Sequence, residues 1–356
     1  MLRPLDPETL RALELLPKAR DGRLVDLWDL EGFRAELAER ARIAQAAPRS
    51  PLVEWTTTAA VRPDGSPLKI HMVRPRGHGP RPGPALLWFH GGGQVLGSAL
   101  QNPAHLEELA LAVGCTVAAV EYRLAPETPA PGAAEDGVLA FRHLASEAER
   151  LGLDARRIGL AGESGGGAVA AAAALMIRDL RREAAGSQEN RREEDGQGEC
   201  NPPGKAEARD SLPESGIPHL PVPRLLGLVY PMLDDRNETP SSREITGLGV
   251  WDREENLRAW RLVLGERAGG PDVTPHEAPG RAEDLAGMPP VFIAVGDADL
   301  FRDEDIAFAS RLLAAGVPVD LHVLSGAVHA FDGIAPDSAL TSRFRRLWHG
   351  WLRRGL

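Results

Sequence analysis

Apolar and polar positions change their rhythm along the chain. Pro7–Leu16 predicts a helix, with Asp6 as N-cap and proline at the first helical position. In Leu30–Ala46 the apolar residues Leu30, Phe33, Leu37, Ala41 and Ile43 recur close to helical spacing. Residues 52–61 and 68–73 are short and rich in β-formers, and Arg62-Pro63-Asp64-Gly65 between them is a turn sequence, so the pair predicts a hairpin. Short apolar runs then alternate with helical stretches. ALLWF (85–89) precedes a helix near 103–113, TVAAV (116–120) one near 132–151, and RIGLA (157–161) one from about 165 to 184. LLGLVY (225–230), PVFIAV (290–295) and VDLHVL (319–324) follow, with a helix over 304–315 and an amphipathic one over 338–352.

Strands that are almost continuously apolar and alternate with helices imply a mostly parallel central sheet with helices on both faces. Two segments break the rhythm. Residues 186–216 hold eight acidic and four basic side chains and almost nothing apolar, which predicts a disordered insertion. Residues 234–285 show a helical patch at 254–264 and no strand signal. The expected organisation is therefore a helical cap built from 1–48 and 234–285, with the core over 49–233 and 286–356.

Composition narrows the function classes. A 43% apolar fraction supports a sizeable core, and a net charge of −10 argues against nucleic acid or an anionic membrane as partner. The N-terminus has scattered charges and no apolar stretch of signal-peptide type. The longest apolar run, Ala168–Ile177, is too short for a membrane span. Two cysteines, Cys115 and Cys200, cannot form a disulfide framework or a four-ligand zinc site. A cytoplasmic protein without cofactor or metal is expected, with a homo-oligomer left open.

Chemistry concentrates in the glycine clusters. Gly162-Glu163-Ser164-Gly165-Gly166 lies between a buried strand and an alanine-rich helix, the context in which G-x-S-x-G forms a nucleophile elbow. The spacing is steric: a sharp turn at the serine brings strand and helix together, so the flanking positions must lack a Cβ. Such a serine needs a base and an orienting acid later in the chain. Of ten histidines, His329 follows the last strand. His322 lies within that strand, while His143 and His349 fall in helices and His276 in the expected cap. His71, His78, His105 and His219 precede or miss a suitable strand end. After PVFIAV, Asp303 reads as a helix N-cap and Asp305 as helical. That leaves Asp297 and Asp299, and the reach needed to meet a histidine favours Asp299.

His90-Gly91-Gly92-Gly93 follows a strand, where an open backbone can aim N–H groups at a developing oxyanion. A flexible turn does not explain three glycines at a strand end. A dinucleotide loop is excluded by Leu96 where its third glycine belongs.

With these motifs in this order, the chain resembles the hormone-sensitive-lipase-like family of α/β-hydrolases. Glu121–Glu127 (EYRLAPE) is similar to that family's YRLAPE segment, Asp299–Glu304 (DLFRDE) to its acid motif, and Gly326–Phe331 (GAVHAF) to its histidine loop. The resemblance runs from about residue 50 to the C-terminus, and the DLFRDE match supports Asp299. It implies a carboxylester hydrolase acting on small esters, with Ser164 as nucleophile, His329 as base and Asp299 as its orienter. It further implies that Gly91, Gly92 and Gly165 supply the oxyanion N–H groups. Amidase, lactonase or dehydratase chemistry on the same scaffold, or ligand binding without catalysis, are the alternatives. Two departures stand out. Gln94 replaces the usual aromatic residue after HGGG, which suggests a more polar substrate pocket. Gly165 replaces the usual alanine, which suggests a looser turn.

Overall fold

Among the described residues, eight strands form one sheet in the order β1-β2-β4-β3-β5-β6-β7-β8. A computed structural model describes residues 4–16, 18, 23–77, 82–197 and 220–356. Helices α1 (Pro7–Leu15) and α2 (Leu30–Ala46) precede the antiparallel hairpin of β1 (Val53–Val61) and β2 (Pro67–Pro75). Then come β3 (Gly83–Phe89), α3 (Pro103–Val113), β4 (Thr116–Val120), α4 (Gly132–Ser146), α5 (Ala148–Leu151), β5 (Leu153–Glu163) and α6 (Gly165–Gln197). The second half contains β6 (Leu226–Val229), α7 (Pro240–Glu244), α8 (Arg253–Leu264), β7 (Val291–Gly296), α9 (Arg302–Ala314), β8 (Val319–Leu324), α10 (Phe331–Ile334) and α11 (Ala339–Gly355). From β4 onward the sheet is parallel; β2 pairs with β4 antiparallel.

The apolar runs become strands because both faces of the sheet are covered. Every residue of β4 and β7 is buried. On one face Phe89, Leu160, Leu228 and Ile293 meet Phe141 of α4, Val169 of α6 and Phe308 of α9. On the other, Trp88, Ala161 and Phe292 meet Leu109 of α3 and Phe344 and Trp348 of α11. A third cluster lies off the sheet. It joins Leu27 and Phe33 to Trp251, Trp260 and Val263 of the 240–264 segment, and to Val95, Leu96, Leu300 and Phe301 of core loops. Arg34 of α2 reinforces that junction, donating to the carbonyls of Val95 at 2.8 Å and Ala125 at 2.6 Å.

Several boundaries depart from the sequence reading. The helix expected to stop near 184 continues to Gln197 as part of α6, so the polar segment begins as helix rather than as a disordered insertion. The remainder of that segment, 198–216, lies outside the described residues, as do Cys200, His78 and His219. The stretch 132–151 divides at Glu147 into α4 and α5, and β5 starts at Leu153. Asp303 is not an N-cap: Phe301 holds that place, and Asp303 accepts the Ser241 N–H at 2.7 Å, tying α7 to α9. Among the described residues no helix is long and apolar enough to cross a membrane.

Candidate active site

β5 ends at Glu163 and α6 starts at Gly165, so Ser164 alone makes the turn, with φ +53°. A left-handed serine is costly and persists only when its surroundings determine it. Here its N–H donates to the Val229 carbonyl at 2.9 Å, and its own carbonyl accepts from Gly167 at 2.9 Å and Met232 at 3.1 Å. The close passage requires glycine on both sides. A Cβ on Gly162 would overlap the Gly166 carbonyl, and one on Gly166 would overlap the carbonyls of Phe89 and His90.

The loop after β8 carries His329 to this turn. Its Nε2 is 2.9 Å from Ser164 Oγ and its Nδ1 is 2.9 Å from Asp299 Oδ2. Because ionised aspartate only accepts, Nδ1 carries the proton toward Asp299 and Nε2 is left to accept from the serine hydroxyl. Asp299 is fully buried and its other oxygen accepts the Phe301 N–H at 3.0 Å. Tyr230 and Phe301 present T-shaped ring contacts to the imidazole at 4.8 and 5.1 Å. Asp297, the other aspartate considered, accepts instead from Ser325 Oγ at 3.1 Å and Gly326 N–H at 2.7 Å, bracing the histidine loop. Of the other described histidines, His143 bonds Thr58, His71 bonds Thr57, His276 pairs with Asp179, His322 tilts against Phe292, and His105 tilts against Trp88 in the cavity wall.

The 121–127 segment organises the glycine loop. Tyr122 stacks on the His90 ring with centroids 4.3 Å apart and donates its hydroxyl to the His90 carbonyl at 2.8 Å. Glu121 accepts the Ala99 N–H at 3.1 Å, and the Ala125 N–H donates to the Gln94 carbonyl at 2.9 Å. Burial pushes the His90 imidazole down to about 4, so it is neutral at physiological pH. Gly92 has φ +123°, and a Cβ there would overlap the Leu96 carbonyl.

Three sequence expectations change at this loop. The Gly91 N–H, expected to face an oxyanion, donates to Glu163 Oε1 at 3.3 Å. Gln94, expected in the substrate pocket, is buried at φ +63° and does not line the cavity described below. Its role is in the backbone, where its carbonyl ties the glycine loop to the 121–127 segment. Gly165 does not loosen the turn: a Cβ there would sit 2.6 Å from Gln94 N and 2.7 Å from Gly93 N, so the glycine permits a close approach.

Ser164 and His329 open into a cavity of about 740 Å³. Val25, Phe33 and Leu37 line it from the N-terminal arm, Val250 and Trp251 from the 240–264 segment, and Trp88 and Tyr230 from the core. Glu163 and Asp332 also face it, and Asp332 accepts from the Tyr230 hydroxyl at 2.7 Å. Sequence reasoning passed over both acids, although Glu163 stands inside GESGG and is the only charged residue of that motif. Among the described residues no group of three or more His, Cys, Asp or Glu is placed to hold a metal ion.

The pattern of the family described by the α/β hydrolase fold matches residues 86–333. The chain belongs to that family. Among curated proteins, it is 33% identical to the esterase LipI of Mycobacterium tuberculosis over 71% of this chain and 67% of that protein. It is 28% identical to an ethyl acetate hydrolase of Pseudomonas putida over 92% of each chain. Among solved structures, a bacterial heroin esterase superposes with a TM-score of 0.82 at 35% identity, covering 99% of this chain and 98% of that one. The resemblance to hormone-sensitive-lipase-like esterases drawn from the motifs, and the fold it implied, are thereby borne out.

Proposed function

We propose that this α/β-hydrolase is a serine carboxylesterase in which Ser164 is the nucleophile, His329 the general base and acid, and Asp299 the residue that orients the imidazole. The observation that carries the reading is the continuous relay from Ser164 Oγ through both His329 nitrogens to buried Asp299, opening into one cavity. In this reading Oγ attacks the ester carbonyl while Nε2 takes its proton. The resulting imidazolium returns that proton to the departing alcohol, leaving an acyl-serine. Water, deprotonated by the same nitrogen, then releases the acid. The tetrahedral oxygen is held by the N–H groups of Gly92 and Gly165. Gly93 N joins them, because it lies beside Gly165, while Gly91 is engaged by Glu163.

Residues 1–48 and 234–285 act as a cap over this cavity, a role supported by their shared apolar cluster and by the cavity wall they supply. A cavity of about 740 Å³ with walls of leucine, valine and tryptophan suits small esters with short-to-medium acyl groups. The test is covalent: a fluorophosphonate should label the purified chain at Ser164 and leave Ser164→Ala unlabelled. Ser164→Ala should also lower kcat on a short p-nitrophenyl ester by about four to six powers of ten. A variant retaining near-parental turnover would remove the basis of the proposal.

A further inference from the structure

The glycine loop and the nucleophile elbow meet through a side chain as well as through backbone. Glu163 is the last residue of β5 and immediately precedes Ser164. Its Oε1 accepts the Gly91 N–H at 3.3 Å, and a Cβ on Gly91 would stand 3.2 Å from its Cγ. The carboxyl therefore fills the space against the loop and bonds to it. On its other side it shares the cavity wall with Asp332, which is fixed by the Tyr230 hydroxyl. Tyr230 in turn packs against His329. Contacts thus link the base to Asp332 through Tyr230 and Glu163 to the glycine loop, and the two acids act on each other electrostatically across the cavity. Asp332 also acts electrostatically on His105 across the same cavity, while the polar contact of the Glu163 carboxyl is the Gly91 N–H.

We propose that Glu163 is a positioning residue whose uncharged carboxyl anchors the glycine loop at Gly91, and whose ionisation, beside the place where negative charge develops on the substrate, slows the reaction. The inference rests on the reading of Ser164 as nucleophile. The carboxyl accepts the Gly91 N–H in either charge state, so the anchor survives protonation. Charge is different. A carboxylate at this position adds negative potential one residue from the reacting oxygen, from a half-buried place on the cavity wall. Burial and the nearby Asp332 push the Glu163 carboxyl up to about 7, opposed by the Gly91 N–H, so the neutral form is well populated near neutrality. The other groups around it are Tyr122 and Tyr230, both held well above 10 by burial and so uncharged, and His90, held neutral by burial; the same cavity wall carries His329, His105, which burial lowers, and the Arg345–Glu108 pair.

The two parts of the proposal separate by substitution. Glu163→Gln keeps an acceptor of the same shape and abolishes the charge, whereas Glu163→Ala removes both and Glu163→Asp cannot span the same distance. We would measure kcat and KM for a p-nitrophenyl ester from pH 6 to 9 with the full chain, reading at the isosbestic wavelength of p-nitrophenol. The ratio of kcat/KM for Glu163→Gln to that of the parent should rise by about tenfold across this range, since every other group of the site is common to both. Glu163→Ala should lower kcat by about tenfold with little change in KM, and Glu163→Gln should rescue it while Glu163→Asp should not. A ratio independent of pH overturns the charge effect, and an alanine variant with parental kcat overturns the anchor. If alanine does not fold, the glutamine comparison still decides. Loss of activity in Ser164→Ala together with parental behaviour of every Glu163 variant would reject this inference alone. Activity in Ser164→Ala would instead reject the reading beneath it.

Discussion

His329 Nδ1 and Asp299 Oδ2 lie 2.9 Å apart, and the aspartate is shut off from solvent while its second oxygen is occupied by the Phe301 N–H. A carboxylate fixed from both oxygens cannot swing to another partner, so it dictates both the tautomer and the orientation of the imidazole.

Asp299→Asn should therefore preserve the fold and lower kcat by about four powers of ten, because an amide can present a donor to Nδ1 and favour the wrong tautomer. Asp297→Ala is the matched control. It removes the bonds to Ser325 and Gly326, and should cost about 1–2 kcal/mol of stability while lowering kcat by less than about tenfold. Steady-state kinetics and urea titration of both variants check the pair. The reverse ranking in kcat would exchange the two roles.

Gly165→Ala tests how closely the elbow and the glycine loop approach. The added methyl would stand 2.6 Å from Gln94 N and 2.7 Å from both Cα and N of Gly93, so backbone has to move. We expect kcat to fall at least about tenfold, with a stability loss of about 1–3 kcal/mol from overpacking. Kinetics and thermal unfolding read the two effects separately. An alanine variant matching its parent in both would mean that the loop yields without cost.

How much of this was legible in the sequence depended on whether a signal is local. The inner strands were readable because burial on both faces leaves continuous apolar runs, the half-exposed β1 and β2 because β-formers flank a turn sequence, and Ser164 and His329 because each follows a strand. Asp299 was separable from Asp297 only by reach and by resemblance. The bonds of Asp297 to Ser325 and Gly326, which explain the choice, are made across 28 and 29 residues and leave no local trace. The same holds for Gly91. HGGG reveals an open backbone but not which N–H is already taken, since that depends on a side chain more than seventy positions away. Gln94 was misplaced because its identity suggested a pocket group, whereas its left-handed backbone and buried position are set by the loop. The end of α6 was not legible because no apolar periodicity marks the helix past the alanine-rich stretch.

Asp136 supports the 121–127 segment through Arg123. It is buried and accepts from Arg62 Nε at 2.8 Å, Arg62 Nη2 at 3.0 Å and the Arg123 N–H at 2.9 Å. It thus fixes the start of the segment that carries Tyr122. Asp136→Ala would leave the largely buried Arg62 guanidinium without its carboxylate. The expected cost is about 3–5 kcal/mol, seen as a lowered urea midpoint. Asp136→Asn, which retains an acceptor, should lose less. Equal midpoints for the alanine variant and its parent would show that the pair is dispensable.

His90 predicts how stability responds to acid. Its folded value of about 4 lies below the ordinary 6.5, because burial disfavours the imidazolium. The neutral ring is thus favoured by folding. Its contribution is fully present above pH 6.5 and is lost as pH falls toward and through 4, since the unfolded chain then binds a proton that the native chain resists. The shift corresponds to about 3 kcal/mol at most. Burial also holds His349 at about 4, which places a second histidine in the same window. Glu163 acts in the opposite sense: with a folded value of about 7 against an ordinary 4.5, it favours folding below pH 4.5 and loses that contribution as pH rises to 7. Urea midpoints at several values between pH 7 and pH 4 should fall more steeply for the parent than for His90→Asn, which has no proton to gain there. Parallel curves for the two proteins would exclude His90 as a source of the acid sensitivity.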